Sequence, residues 1–280
     1  MLSFDGGSTL LTAQRILGTT SRSIFQSMEK LATGQRINRG SDDPAGLVAS
    51  ENLRAALVGL ESRVRSLLRT DQVANVADGA LAGTSDLLIE ANGLAVTAAN
   101  SAGLSDGEKQ AIQMQIDSIL ATVDSTAGNT TFNGDPLLDG TATLSAGGTS
   151  VDLPDAHSSN LGATDIDGTT YTLADLRSGG ALNLVDGDIS AAQQVIRNSI
   201  TEVASARGRI GSFQRHSIGA SLGGMQAGME NLAAANSVIR DTNFAVQTAV
   251  LNRSLVLHEA AIKAIRIMVP LQQSILDLIG

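Results

Sequence analysis

The sequence predicts a mainly α-helical protein in which long antiparallel helices from the N- and C-terminal halves form a coiled-coil rod, with a small β-rich central insertion. The first observation is a run of residues spaced alternately four and three apart between Ile218 and Ile239. The second is a pair of helix-period segments of about 50 residues, far above the mean helix length, on either side of a Gly-, Thr- and Asp-rich region. The third is that aromatic residues make up only 2% of the 280 residues, so aliphatic side chains must form the core.

Composition also excludes several classes of function. The net charge of −9 counts against nucleic acid and anionic membrane as partners, because both need clustered cations. The absence of cysteine excludes disulfides and cysteine-based zinc sites. No uncharged apolar stretch of about 18 residues exists, so we predict no membrane insertion. Residues 1–7 have neither a basic nor an apolar segment, and we expect no cleavable secretory signal.

The first helix is predicted between Leu10 and Gln35. Its seam, meaning the residues that face a partner helix, has four-three spacing and consists of Leu10, Gln14, Leu17, Ser21, Ile24, Met28, Leu31 and Gln35. Because several of these residues are polar, the seam is weak alone and we expect it to order when a partner covers it. Gly34 and Gly40 bracket a break in the helix.

A second helix is predicted to begin at Pro44, which suits a first turn, with Ser41 or an adjacent Asp as its cap. It continues to Asn100 with one phase slip, after which its apolar positions are Val73, Val76, Ala80, Gly83, Leu87, Ala91, Leu94 and Ala98. Ser105 and Glu108 then form a capping-box pattern. They predict a third helix, whose apolar face is Ile112, Ile116, Ile119 and Val123.

The region from Asn129 to about Asp188 is predicted to be β-rich. Residues 149–153 and 169–173 alternate as strands do, and turns are predicted at 133–134, 139–140, 147–148 and 167–168. Helical spacing returns at Ile189 and continues to Ile239, so this segment and Pro44–Asn100 are predicted antiparallel partners. A last helix follows Phe244, with a seam through Val246, Val250 and Leu257.

This pattern divides the chain into three predicted domains. Residues 1–43 and 245–280 form a terminal coiled-coil domain, residues 44–140 and 188–244 a helical rod, and residues 141–187 a small β-rich outer insertion. The rod is therefore built from discontinuous halves of the chain.

One motif matches an enzyme signature. Gly219–Gly223 fits the G-x-S-x-G pattern of a serine hydrolase, in which a strand-turn-helix elbow exposes the serine. Here the match lies in a helix-period run, so close packing of small residues is favoured by about nine to one, and a hydrolase using Ser221 remains a remote alternative. His157, His216 and His258 lie in separate segments without metal-ligand spacing. We therefore predict no enzymatic activity, no catalytic residue, no metal and no cofactor.

Several motifs, in order along the chain, resemble those of bacterial flagellins. They are SMEKLATGQRIN at residues 27–38, SDDPAGL at 41–47, NTTFNG at 129–134, ARGRIGSFQ at 206–214 and IRDTNFA at 239–245. Together the matches cover about residues 8–140 and 170–250, so the resemblance does not depend on any single motif.

The resemblance implies a structural subunit that polymerises into the extracellular flagellar filament for swimming motility. It places the terminal helices at the inner wall of a tube and the insertion towards solvent. It also implies export in an unfolded state through the flagellar type III apparatus. The implied partners are other copies of the chain, an export chaperone that binds the C-terminal region, the export apparatus, and the filament cap and hook-junction proteins. A hook–filament junction protein is the alternative, but the intact motif Arg240–Ala245 favours the filament subunit.

By the same resemblance, the subunit interface involves the terminal helices and the segments that join them to the rod. The residues assigned to this assembly interface are Leu17, Ile24, Leu31, Arg36, Ile37, Asn38, Asp42, Asp43, Arg240, Asp241, Phe244, Val250 and Leu257. Residues 255–269 depart from the family, because they are more apolar and more charged than its Gln- and Ala-rich ending.

Overall fold

A computed structural model of the protein describes the backbone of residues 6–100 and 103–279, and side chains between residues 10 and 267 of these ranges. Residues 1–5, which belong to the segment where no secretory signal is expected, lie outside the described residues. The described helices are α1 (Gly6–Thr33), α2 (Pro44–Ala99), α3 (Asp106–Asn129), α4 (Ile189–Phe213), α5 (Gly219–Arg240) and α6 (Phe244–Ile279). The mainly α-helical class is thus confirmed. Within the described ranges, no helix is both long and apolar enough to cross a membrane.

The insertion consists of three antiparallel hairpins, each a separate two-stranded sheet. Their strands are β1 (Thr131–Phe132) with β2 (Asp135–Pro136), β3 (Thr143–Ala146) with β4 (Thr149–Asp152), and β5 (Thr164–Ile166) with β6 (Thr169–Tyr171). Each predicted turn contains residues with positive φ, as in Asn133-Gly134 (58° and 95°). The β-rich insertion and its turns are therefore confirmed.

The chain forms two compact units. The terminal unit comprises Met1–Leu60 and Gly228–Gly280, and the central unit comprises Glu61–Ala227. The three-domain division of the sequence stays a prediction.

In the terminal unit, α1 and α6 pack antiparallel. Ser23 Oγ lies 2.9 Å from Ser254 Oγ, and Gln247 Nε2 donates to Ser27 Oγ at 2.7 Å. Six of the eight predicted seam residues of α1 are partly buried, namely Leu10, Leu17, Ser21, Ile24, Leu31 and Gln35, whereas Gln14 and Met28 are exposed. The fully buried positions are Ala13, Thr20 and Ser27, each one residue before Gln14, Ser21 and Met28.

The seam of α6 shows the same displacement. Ser254 and Ala261 are buried, whereas Val246 and Leu257, which were predicted to face the partner, are exposed. Small side chains at the contact allow two helices to approach closely, and this displaces the larger apolar residues to the flanks. The contact between α1 and α6 therefore buries small and polar side chains at its centre.

In the central unit, side-chain hydrogen bonds confirm that α2 runs antiparallel to α4. Arg207 Nε donates to Asp78 at 2.9 Å, and Gln193 Nε2 donates to the carbonyl of Ala95 at 3.2 Å. The buried face of α2 after the phase slip is Ala74, Ala77, Leu81, Thr84, Leu88, Ala91, Ala95 and Ala98. The prediction is therefore correct at Ala91 and Ala98, and it is one residue early between Val73 and Leu87 and again at Leu94.

The insertion is attached to α3 by a buried glutamine. The capping box of α3 is confirmed, and Ile112, Ile116, Ile119 and Val123 are buried as predicted. Gln113 Nε2 donates to the carbonyl of Leu176 at 2.8 Å, and Gln113 Oε1 accepts from the backbone N–H of Leu184 at 2.7 Å. Arg177 forms an ion pair with Asp124 beside it. The irregular part of the insertion thereby obtains partners for its backbone groups.

Candidate assembly surface

Large apolar side chains lie on the outside of the α1–α6 pair. Phe25 is 70% exposed, Leu11 67% and Val256 68%, whereas Thr20 and Ser27 between the helices are at most 8% exposed. A helix pair that is stable alone in water buries its apolar residues and exposes its polar ones. For these five residues the distribution is the reverse, so this pair presents apolar surface that another molecule must cover.

The exposed apolar residues of α6 include three consecutive ones, Leu255, Val256 and Leu257. Successive residues of an α-helix are about 100° apart, so these side chains point to three sides of α6. A helix that is apolar on every side is usually buried on every side. We call the whole set the apolar terminal surface; its members are Leu11, Ile16, Phe25, Met28, Val246, Leu255, Val256, Leu257 and Ile267.

The segment after α1 and the segment before α6 form a second feature, which we call the junction (residues 34–46 and 239–244). Gly34, with φ of 71°, ends α1, and its carbonyl accepts from the N–H of Thr242 at 2.8 Å. The N–H of Arg36 donates to the carbonyl of Arg240 at 2.6 Å. These bonds form a short antiparallel bridge around Gln35 and Asp241, which holds the two segments side by side.

Two carboxylates shape the turn between α1 and α2. Asp42 Oδ2 accepts from the N–H groups of Asn38 at 3.0 Å and Arg39 at 2.9 Å. The hydrogen bonds from Arg39 and Asn38 lower the pKa of Asp42, because they favour its charged form. Asp43 Oδ1 accepts from the N–H of Gly46 at 2.9 Å and so caps α2.

Arginines hold the other side of the junction. Arg240 Nη1 lies 2.8 Å from Glu51 Oε1, and Arg240 Nε donates to Gln35 Oε1 at 3.1 Å. The hydrogen bond from Arg240, followed by that from Arg54, lowers the pKa of Glu51. Arg36 Nη2 donates to the carbonyl of Ile239 at 2.6 Å. The guanidinium groups therefore bind a carbonyl in the last turn of α5, where the helix dipole is negative, as well as nearby carboxylates.

The structure separates the predicted assembly residues into two groups. Seven lie in the junction and contact one another within the chain: Arg36, Ile37, Asn38, Asp42, Asp43, Arg240 and Asp241. Six are apolar: Leu17, Ile24, Leu31 and Val250 are partly buried, and Phe244 and Leu257 are exposed. Contact of any of them with another copy stays a prediction.

Sequence reasoning missed two parts of this region. It did not predict that Phe25 and Val256 are exposed on the surface. Since only 2% of the residues are aromatic, the position of each phenylalanine could have been considered separately. It also missed Gly46, where an added methyl group would lie 2.8 Å from Ile37 Cδ1. The run of three apolar residues from Leu255 is visible in the sequence, and it could have indicated apolar side chains on more than one side of α6.

Ser221 does not lie in a nucleophile elbow. It is inside the helix α5, and its hydroxyl packs against Gly147 at the tip of the β3–β4 hairpin. Gly147 has φ of 60°, and a side chain at that position would collide with Ser221. The small residues of the G-x-S-x-G pattern thus allow the hairpin to approach the helix.

Comparison with known proteins points to one family. A sequence model of the bacterial flagellin N-terminal helical region matches residues 8–143. The flagellin of Bacillus subtilis (strain 168) is 31% identical over 281 residues, which cover 91% of each chain. The flagellar filament 31.3 kDa core protein of Treponema maltophilum is 28% identical over 89% of each chain.

A solved structure shares the fold. The structure of a putative flagellar hook-associated protein from Vibrio parahaemolyticus matches with a TM-score of 0.54 and 17% identity, over 71% of this chain and 99% of that one. At this identity the likeness concerns the fold alone. The sequence relatives, which span nearly the full length, decide the role. The chain belongs to the bacterial flagellin family, and it is a structural subunit of the extracellular flagellar filament.

Proposed function

We propose that the apolar terminal surface is the surface through which each subunit packs against other copies at the inner wall of the filament. The observation that supports this is the reversed distribution of side chains, with Phe25 and Leu255–Leu257 outside and Ser27 and Ser254 inside. Complete burial of one such apolar side chain is worth about 1.5–3 kcal/mol. Burial between copies therefore provides a driving force for polymerisation that the isolated subunit lacks.

The predicted interface residues have different tasks in this proposal. Leu257 and Phe244 contact neighbouring copies directly, since they are exposed in the single chain. Leu17, Ile24, Leu31 and Val250 become fully buried when a neighbour covers the sides of the pair. The residues of the junction act less directly, because their hydrogen bonds hold α1 and α6 beside the ends of α2 and α5 within the terminal unit. The residue ranges of the three predicted domains are part of the same proposal.

The remaining partners are also proposals. A chain with exposed Leu255–Leu257 needs cover before assembly, which supports an export chaperone on the C-terminal region. Because the residues buried between α1 and α6 are small or polar, the pair has little hydrophobic stabilisation of its own, which suits export in an unfolded state through the type III apparatus. The filament cap and the hook-junction proteins would meet the same surface at the two ends of the polymer.

Seeded polymerisation of Leu257→Asp and Leu31→Asp tests the proposal. Each change puts a charge into the proposed interface, where the cost of burying it is large. We expect monomers with an intact central unit that do not elongate seeds, measured by light scattering and electron microscopy. Leu257→Met is the matched control, since it keeps the apolar volume and should elongate normally. Normal filaments from both aspartate variants would contradict the assignment of this surface.

A further inference from the structure

The central unit carries a charge pattern that its helical packing does not require. Between Glu61 and Ala227 the chain has 9 Lys and Arg residues against 19 Asp and Glu residues. Despite this acidic excess, three arginines lie around one element, the β3–β4 hairpin. They are Arg63, Arg69 and Arg209, and each lines a different cleft beside the hairpin. We call these three the arginine clefts.

The largest arginine cleft has a volume of about 560 Å³. Arg209 and His216 are its basic residues. Serine hydroxyl groups such as that of Ser150 line it together with the apolar Val151 and Phe213, and none of its lining residues is acidic. In the second cleft Arg63 lies with Ser66, Ser145 and the two glycines of the hairpin turn. The third contains Arg69 with Thr70 and Thr143, and Asp135 is its one acidic residue. Guanidinium and hydroxyl groups together are the donors that bind a carboxylate.

The arginines of these clefts have no ion-pair partner among the described residues, whereas three other arginines of the central unit do. Arg65, Arg177 and Arg207 pair with Glu61, Asp124 and Asp78. Arg63, Arg69 and Arg209 are exposed, and none has a hydrogen-bond or ion-pair partner in the described part of the chain. The hairpin itself is fixed, because Thr149 Oγ1 donates to Ser217 Oγ at 2.8 Å and Gly147 packs on Ser221. The hairpin side of the clefts is thus held in place before any anion arrives.

The complementary groups are in the same unit. Residues 141–187 contain six Asp residues and a single cation, Arg177. Of these, Asp165, Asp167 and Asp186 are exposed, and their carboxylates have no partner in the described residues. Asp165 lies in β5, and Asp167 is the first residue of the β5–β6 turn, with φ of 54°. Every copy of the chain therefore carries both the arginine clefts and these free carboxylates.

We propose that the arginine clefts bind the carboxylates of Asp165, Asp167 and Asp186 of a second copy of the chain, as a charged contact between neighbouring subunits. This contact is additional to the apolar terminal surface, and it rests on the proposed assembly. A second copy is favoured over an external polyanion because the central unit itself supplies three exposed, unpaired carboxylates that complement the three arginines.

The test is a charge-swap experiment with full-length protein in seeded polymerisation. The variants are the triple change Arg63→Glu, Arg69→Glu and Arg209→Glu, the triple change Asp165→Lys, Asp167→Lys and Asp186→Lys, and the two combined. At low salt we expect each triple variant to raise the critical concentration about fivefold or more, and an equimolar mixture or the combined variant to restore it. High salt should raise the critical concentration of the wild type towards that of the triple variants, since salt screens exposed charges.

Arg197→Glu is the matched control, because Arg197 is also exposed and unpaired but lines none of the three clefts. It should polymerise like the wild type. Unchanged critical concentrations in both triple variants, or no restoration by the combined variant, would overturn the proposal. Arginine-dependent binding of a heparin probe to monomers, with normal assembly of the variants, would assign the clefts to an external polyanion instead. Failure of wild-type protein to elongate seeds would contradict the proposed function, which separates the two tests.

Discussion

At the scale of single residues, Gly46 decides how closely the start of α2 approaches the junction. A methyl group at Gly46 would collide with the Asp43 carboxylate and lie 2.8 Å from Ile37 Cδ1, and Ile37 is fully buried. Gly46→Ala should therefore destabilise the terminal unit by about 1–3 kcal/mol, despite the better helix propensity of alanine. Hydrogen exchange at the amides of Arg36 and Thr242, which bond across the junction, measures this.

Gly59→Ala is the control for that prediction. Gly59 is in the same helix and the same unit, but nothing lies within 4 Å of an added methyl group. The change should stabilise the protein by about 0.5–1 kcal/mol, since glycine is a poor helix former. Equal effects of the two substitutions would show that Ile37 and Asp43 do not restrict the space at Gly46.

Asp42 makes the same turn sensitive to acid. Its folded pKa is lowered by hydrogen bonds from Arg39 and Asn38, whereas an unfolded Asp titrates near pH 3.9. The ionised carboxylate therefore stabilises the turn fully above about pH 4. This stabilisation is lost as the pH falls through the lowered folded pKa of Asp42. Exchange protection of the Asn38 and Arg39 amides, corrected for the intrinsic rate, should fall in that range. Asp42→Asn should remove this pH dependence, and a protection that increases on acidification would contradict the role.

At the scale of elements, Gln113 attaches the insertion to α3. It is 3% exposed and makes three hydrogen bonds, to Asp117, to the carbonyl of Leu176 and from the N–H of Leu184. Gln113→Leu would leave two buried backbone groups unpaired, at about 1–3 kcal/mol each, so the melting temperature of the central unit should fall clearly. Gln115→Leu makes the same exchange at an exposed position of α3 and should have little effect. Similar melting temperatures for the two variants would show that Gln113 does not attach the insertion to α3.

At the scale of the whole molecule, the two units should differ in stability. The central unit has a continuous core, including Leu81, Leu88, Ile116 and Val203. The α1–α6 pair instead buries small residues such as Thr20 and Ser254. In monomers we expect amides of residues 10–33 and 244–267 to exchange much faster than those of α3 and α4, and to become protected in filaments. Equal protection in monomer and filament would exclude assembly-dependent ordering of this pair.

The sequence by itself determined which elements exist, because their signals are local. Helix periodicity, the cap formed by Ser105 and Glu108, and turns such as Asn133-Gly134 each depend on a few neighbouring residues. The motifs of the family also determined the class of protein, since each motif can be recognised without its partner in space. For the same reason the sequence indicated which segments would meet, as two helical runs of similar length enclose the insertion.

In α1 and α2 only the packed structure showed which residues face the partner, whereas the buried face of α3 agrees with its prediction. A four-three pattern allows two seams one residue apart, and the choice between Thr20 and Ser21, or Ala74 and Val73, depends on how closely the partner helix approaches. The exposed position of Phe25 follows from that choice. The grouping of Arg63 and Arg69 with Arg209, which is distant from them in sequence, likewise depends on tertiary structure, because the β3–β4 hairpin packs beside both α2 and α4.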